Sequence, residues 1–325
     1  MHPAFSVIFL TTLIGAAQGL FLALFTVQTY ATFKLLPEPD AHAFYGQGSL
    51  LALALLVAGL AASFFHLGHP ERAWRSAAMW RTSWLSREVI VLPAFMGVVF
   101  LYGATHWLDW HPVLVTLPGG LPVDPSVILG VAGTLLAFAL FLCTAMIYAC
   151  LKFLGEWHSP LTVINYILLG GASGFTLAAA FAAVTAPELV SFLAGWAAII
   201  TLLGLFSRSA SLVRNARLKP KSTLQTAIGI KHPRIVQKTQ GFMGGSFNTR
   251  EFFHGQPVLV VRGVKWFFML AVFPLPLLLL LAGIHGGSIA LGAAFVVQYL
   301  GLLAERWFFF AQANHPQNLY YQAIA

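Results

Sequence analysis

His66 closes one long apolar run and Glu88 opens the next, and these two side chains are the best placed for chemistry. The connector between them runs Phe65-His66-Leu67-Gly68-His69-Pro70-Glu71-Arg72-Ala73-Trp74 and on to Trp84-Leu85-Ser86-Arg87-Glu88. It gathers four arginines, two histidines, two glutamates and three tryptophans in a chain otherwise rich in Ala, Leu, Phe, Val and Gly. Ionisable groups among apolar segments mark functional sites in membrane proteins. A histidine and a carboxylate on adjacent helix ends, at one depth, can bond the two carbonyl or hydroxyl groups of a quinone. Quinone reduction takes up protons with its electrons, and an imidazole titrating near neutrality suits that transfer. A plainer explanation stands beside this one. His66 can sit at the negative end of a helix stopped by Gly68 and Pro70, and Glu88 in the first turn of a helix capped by Ser86.

Other groups reach the same end of the chain's spans. Tyr148 can donate to a headgroup or serve as an interfacial tyrosine, and Lys152, Glu156 and Trp157 follow it. Trp74, Trp80 and Trp84 fit either the wall of a pocket or an interfacial belt. Cys143 and Cys150 stand alone on one helix face, so no disulfide framework, zinc site or iron–sulfur motif can be built from them. Of eleven histidines, eight fall in loops or tails and His66, His106 and His285 at span ends. No pair is expected at membrane depth, and so no haem; no metal ligand set and no catalytic residue is expected either.

The elements that must position these groups are membrane helices. The chain is 325 residues long, 58% hydrophobic and 9% charged, against about 25% charged in a soluble domain. Its apolar runs lack the alternation of barrel strands. The expected fold is all-α, a polytopic bundle of eight transmembrane helices at about 4–33, 47–67, 88–108, 126–151, 161–185, 190–208, 264–284 and 287–310. Residues 1–325 form one anchor domain with a basic loop at 209–257. Pro274 and Pro276 should kink the seventh span, Gly170, Gly171 and Gly174 should form a close-packing face, and the last two spans can form a separate hairpin. Of eighteen Lys and Arg, all but Lys34 lie on one side of eight spans. Basic loops stay inside, so both termini and the connector are expected in the cytoplasm of a bacterium, with the chain in its inner membrane. The basic loop fits lipid headgroups, while its glycine- and phenylalanine-rich second half should pack on a partner or re-enter the bundle. Nothing resembles a nucleic-acid recognition fold.

The residues His66-Leu67-Gly68-x-Pro70-x-Arg72-Ala73, then Leu85-Ser86-Arg87-Glu88, resemble the connector of the dimethyl sulfoxide reductase membrane-anchor family, the DmsC-type subunits. The likeness extends to Lys152-Phe153-x-x-Glu156-Trp157-x-Ser159-Pro160-Leu161, to the GGSFNTREFFHG block and to Glu305-Arg306-Trp307. It implies eight spans, no haem, and quinol binding beside a four-cluster, ferredoxin-like iron–sulfur subunit. That subunit in turn exchanges electrons with a molybdopterin catalytic subunit. The quinone, ubiquinone or menaquinone, is then expected at His66 and Glu88, the family's quinol-binding positions, with Arg72, Ser86, Tyr148 and Trp74 around it. Arg75, Arg81, Arg250 and His254 are expected to dock the partner.

Anchors with periplasmic catalytic subunits are the best-known members, whereas the charge count puts this connector in the cytoplasm. The long basic loop resembles anchors of cytoplasm-facing, SoeABC-type sulfite dehydrogenases. The expected function is therefore electron transfer from an iron–sulfur subunit to the quinone pool during sulfite oxidation. Quinol oxidation for a dimethyl sulfoxide or polysulfide reductase is the alternative. A transporter is disfavoured by spans nearly free of charge at their centres and by the lack of an internal repeat.

Overall fold

The computed structural model describes residues 1–117, 120–219, 222–236, 238 and 254–316. Its helices are α1 (Phe5–Thr32), α2 (Gln47–Phe64), α3 (Trp84–Trp107), α4 (Pro125–Ala149), α5 (Pro160–Thr185), α6 (Val190–Ala216), the short α7 (Leu224–Ile228), α8 (Val258–Val272), α9 (Pro274–Ile284) and α10 (Ser288–Ala311). Eight helical segments among the described residues are long and apolar enough to cross a membrane. The second begins at Ala41 rather than 47, because a π-helical turn, Ala41–Gly46, leads directly into α2. Strands β1 (Val115–Leu117) and β2 (Leu121–Val123) pair antiparallel between α3 and α4.

Local sequence explains the helix ends. Asp124 and Ser159 cap α4 and α5 from extended backbone, each followed by a proline whose missing N–H is no loss there. The seventh span breaks as its prolines foretell: α8 ends at Val272, Phe273 leaves helical geometry (ψ −78°), and Pro274 starts α9. Between α2 and α3 the connector folds as a 3-10 helix over Pro70–Met79.

Lipid is as apolar as leucine, so close approach of backbones rather than hydrophobic expulsion holds such a bundle together. A Cβ on Gly174 would collide with the Gly19 backbone, and one on Gly19 with the Gly170 carbonyl. Gly170 and Gly174 thus form the expected packing face, against α1. Gly171 is turned away toward Ile200 of α6. The last two spans are no separate hairpin: Phe268, Phe273, Leu302 and Phe308 share a buried cluster with Leu169 of α5, and α10 also packs on α1.

Helices alternate in direction, so one face of the bundle carries the end of α2, the start of α3, the end of α4 and the start of α5. It also carries the ends of α6 and α10. The Met1 ammonium donates to the Ala313 carbonyl there (2.8 Å). This is the basic face, and the connector lies on it.

Candidate functional site

Ser83, not Ser86, caps α3: its hydroxyl accepts from the Ser86 N–H (3.4 Å), and its extended backbone (ψ 127°) ends the connector three residues earlier than the sequence suggested. Ser86 is instead buried in the first turn. One turn on, Glu88 is 7% exposed, and its Oε1 accepts a hydrogen bond from the Thr144 hydroxyl of α4. Glu88 lines a cavity of about 20 Å³ between α1, α3, α4, α5 and α10, with Thr11, Thr12, Tyr166 and Arg306 among its other walls.

Behind that cavity lies an ionic cluster. Arg306 stacks over the Tyr166 ring (3.8 Å to the centroid), and its Nε is 3.4 Å from Glu305 Oε2. Glu305 Oε1 is 2.8 Å from Arg208 Nε. Arg208 and Glu305 are each 1% exposed and Arg306 5%. Two cations and one anion leave a net positive charge in the bundle, with Phe268 and Phe308 facing the Arg208 guanidinium. Tyr148 belongs to this neighbourhood: its ring stacks on Tyr166 and meets Trp157, Phe309 and Phe310 edge-on. Trp157 donates from Nε1 to the Phe309 carbonyl (2.9 Å), which ties the α4–α5 loop to α10.

The other expected site residues sit on the surface of the connector. His66 is exposed just past the end of α2, yet the protein packed on part of its ring holds its pKa below the usual 6.5 by desolvation. No hydrogen bond joins it to Glu88 among the described residues. Arg72 lies 3.6 Å from Glu71, whose Oε1 is 3.0 Å from His69 Nδ1. Trp74 is 72% exposed. Neither Arg72 nor Trp74 lines the Glu88 cavity. The structure thus brings Glu88 together with Tyr148's aromatic neighbourhood and leaves His66, Arg72 and Trp74 outside.

Arginines and tryptophans alternate over the connector. Arg75 lies over Trp74, Arg81 over Trp80 and Arg87 over Trp84 (4.2 Å). Arg87 is pinned by donating to the carbonyls of Trp80 (2.9 Å) and Arg81 (2.8 Å). Arg75 and Arg81, expected to dock a partner, are exposed. His254 is half-buried and its Nδ1 accepts from the Gln256 N–H (3.1 Å). Arg250 and nearly all of the GGSFNTREFFHG block lie outside the described residues.

A second polar cluster occupies the opposite face. Tyr102 donates to Gln28 (2.8 Å), Gln28 to Ser126, and Ser126 to Asp124 (2.7 Å), whose other oxygen meets His111 (2.9 Å). These bonds, with one from the Val127 N–H, outweigh burial and hold Asp124 below the usual carboxylate range. Among the described residues, no three His, Cys, Asp or Glu side chains are grouped to hold a metal ion.

The sequence did carry a sign of the ionic cluster. Glu305-Arg306 falls well inside an apolar helix, where a charge must face the bundle and find a partner; nothing in the sequence named Arg208 as that partner.

A family model described as DMSO reductase anchor subunit (DmsC) matches residues 1–233. A curated relative from Allochromatium vinosum, named as a subunit of sulfite dehydrogenase, is 60% identical over 326 residues, covering 100% of each chain. Eight apolar spans, the capped connector and these matches agree: this chain is a multi-pass membrane protein that belongs to the DmsC family of DMSO reductase anchor subunits.

Proposed function

We propose that this anchor passes electrons from an iron–sulfur subunit to the membrane quinone pool, in a complex whose molybdopterin subunit oxidises sulfite in the cytoplasm. Support for the direction comes from the name and full-length 60% identity of the sulfite dehydrogenase relative. Support for the orientation comes from the arginines gathered on the connector face. The basic face is then cytoplasmic, and Arg75 and Arg81 meet the four-cluster subunit.

The observation that carries the quinone reading is Glu88: a carboxyl buried near the basic face of the bundle, hydrogen-bonded by Thr144 and one helix turn from the connector. A buried carboxyl in an apolar span is a costly feature that structure alone rarely needs. The cavity behind it holds about one water and is too small for a quinone ring. On this reading the headgroup therefore lies on the connector side of Glu88, with one oxygen toward His66 and the other toward Glu88. A bound quinone supplies the two-electron acceptor. The chain's own part is to orient the ring and hold protons at His66 and at the Glu88 carboxyl. The test is to substitute His66→Ala and Glu88→Gln in the intact complex. Quinone-linked sulfite oxidation is expected to fall by roughly 10²–10⁴ while turnover with an artificial electron acceptor persists. Unchanged quinone-linked activity in Glu88→Gln would refute the site, and unchanged activity in His66→Ala alone would remove His66 from it.

A further inference from the structure

Among the described residues, the buried side-chain atoms without a hydrogen-bond partner fall mainly into two groups. Four belong to Tyr45, Ser49 and His106 toward the opposite face, and seven gather near the basic face: Asn165 Oδ1, the Tyr166 and Ser207 hydroxyls, Arg208 Nε and Nη2, Glu305 Oε2 and Gln312 Nε2. Buried polar groups left without protein partners are commonly satisfied by ordered water. Two of them, Asn165 and Tyr166, lie five and six residues from Pro160, at the depth of the site. Glu88, Thr144, Tyr166 and Glu305 lie four, five, six and six residues from the helix ends at Trp84, Ala149, Pro160 and Ala311. At 1.5 Å per residue that is about 6–9 Å along the axis. Arg208, eight residues from Ala216, lies at about 12 Å.

The cavity joins these layers. Glu88 forms one wall; Arg306 and Tyr166, which lead on to Glu305 and Arg208, form another. Its volume of about 20 Å³ exceeds the roughly 10–15 Å³ that one water requires. Thr144 occupies only one Glu88 oxygen, and no hydrogen bond from another described residue reaches the second. The Tyr166 hydroxyl makes no hydrogen bond of normal geometry among the described residues, although Arg306 and Tyr148 lie beside it. Thr11 and Thr12 present hydroxyls on the α1 side. The space thus offers one water both room and hydrogen-bonding partners.

We propose that this cavity holds a water that connects the Glu88 carboxyl to the Tyr166 hydroxyl and the Arg306 guanidinium, and that Glu88 is reprotonated through it from the basic face. This inference rests on Glu88 serving the quinone. Two electrons from the partner's iron–sulfur clusters and two protons convert quinone to quinol. Glu88 releases one proton to a quinone oxygen and becomes a carboxylate. The water passes a proton to that carboxylate and takes one back from the water-linked groups around Tyr166, whose supply is the aqueous phase at the basic face. Glu305 lies between its two arginines and acts by position: it keeps Arg306 against the Tyr166 ring at the cavity wall. Tyr166 is a relay residue, removed from the quinone itself.

The experiment is Tyr166→Phe, which deletes the hydroxyl and keeps the ring under Arg306, compared with Glu88→Gln in the same membrane-bound complex. Full loss of a general acid is worth roughly 10²–10⁴ in rate. Tyr166→Phe is expected to slow quinone-linked turnover ~10-fold, within that ceiling, to raise its solvent deuterium isotope effect, and to leave artificial-acceptor turnover unchanged. If Glu88→Gln abolishes quinone coupling while Tyr166→Phe changes neither rate nor isotope effect, the relay is overturned and the quinone site stands. If Glu88→Gln leaves coupling intact, the quinone site itself falls. A high-resolution map of the wild-type complex decides independently of any variant's assembly. Density for a water within hydrogen-bond reach of both Glu88 and Tyr166 supports the relay, and a dry cavity overturns it.

Discussion

Thr144 of α4 donates its hydroxyl to a buried carboxyl oxygen of Glu88 on α3, and this bond fixes the side chain on which the proposed quinone chemistry depends. Thr144→Val keeps the shape and removes the donor. A buried acceptor left unpaired costs about 1–3 kcal/mol in soluble proteins, and interhelical bonds in membranes average about 0.6 kcal/mol. Thermal unfolding of the solubilised complex should therefore shift by no more than a few degrees. Quinone-linked kcat/KM should fall while artificial-acceptor turnover holds. An unchanged kcat/KM would show that the orientation of Glu88 does not matter to quinone.

The histidine gives a pH signature. Desolvation lowers the His66 pKa from 6.5, so the ring is neutral over more of the physiological range than a free imidazole. A proton donated by His66 is available only below that lowered value. The quinone-linked rate should accordingly decline as pH rises through a midpoint on the acid side of 6.5. His66→Gln should remove this limb of the profile, and artificial-acceptor turnover should not show it. A midpoint above neutrality that survives in His66→Gln would assign the limb to another group.

How much of this was legible in the sequence differs by element. The spans were, because runs of about 20 apolar residues have few alternatives. So was the break at Pro274, since a proline removes a helix hydrogen bond wherever the helix packs. Glu88 was found through its place at the edge of a span. The cap was misplaced from Ser83 to Ser86 because both are serines near the start of α3, and only the backbone angle decides between them. The ionic cluster was hidden for another reason. Arg208 reads as the first basic residue of a loop, but α6 continues to Ala216 and carries it inside. Charge patterning locates a membrane face; it does not tell which arginine turns inward to meet Glu305.

Glycine packing between α1 and α5 can be tested by contrast. Gly174→Ala drives a methyl into the Gly19 backbone, which has no rotamer with which to yield. Overpacking of this kind costs about 1–3 kcal/mol or more. Gly195 in α6 has no atom within 4 Å of a built Cβ. Gly195→Ala should be neutral or stabilising by up to about 1 kcal/mol through helix propensity. Unfolding temperatures of the two solubilised variants should move in opposite directions, or the second not at all. Equal losses would mean that glycine serves flexibility rather than close approach.

The buried cluster makes an ordering prediction. Wild type holds Arg208, Glu305 and Arg306 together, with the carboxylate shared between both guanidinium groups at 2.8 Å and 3.4 Å. Removing the one anion leaves two buried cations facing each other, and breaking a buried pair in this way costs about 3–5 kcal/mol. Glu305→Gln should therefore be the most destabilising single change in the cluster. Arg208→Met is milder, because Glu305 and Arg306 remain as a neutral pair and the methionine fills the space beside Phe268 and Phe308. Adding Arg208→Met to Glu305→Gln should recover part of the loss, since one cation then remains where two repelled each other, still stacked on Tyr166. A double-mutant cycle on thermal unfolding measures the coupling. Additive losses would mean that Glu305 is not the counter-ion of Arg208.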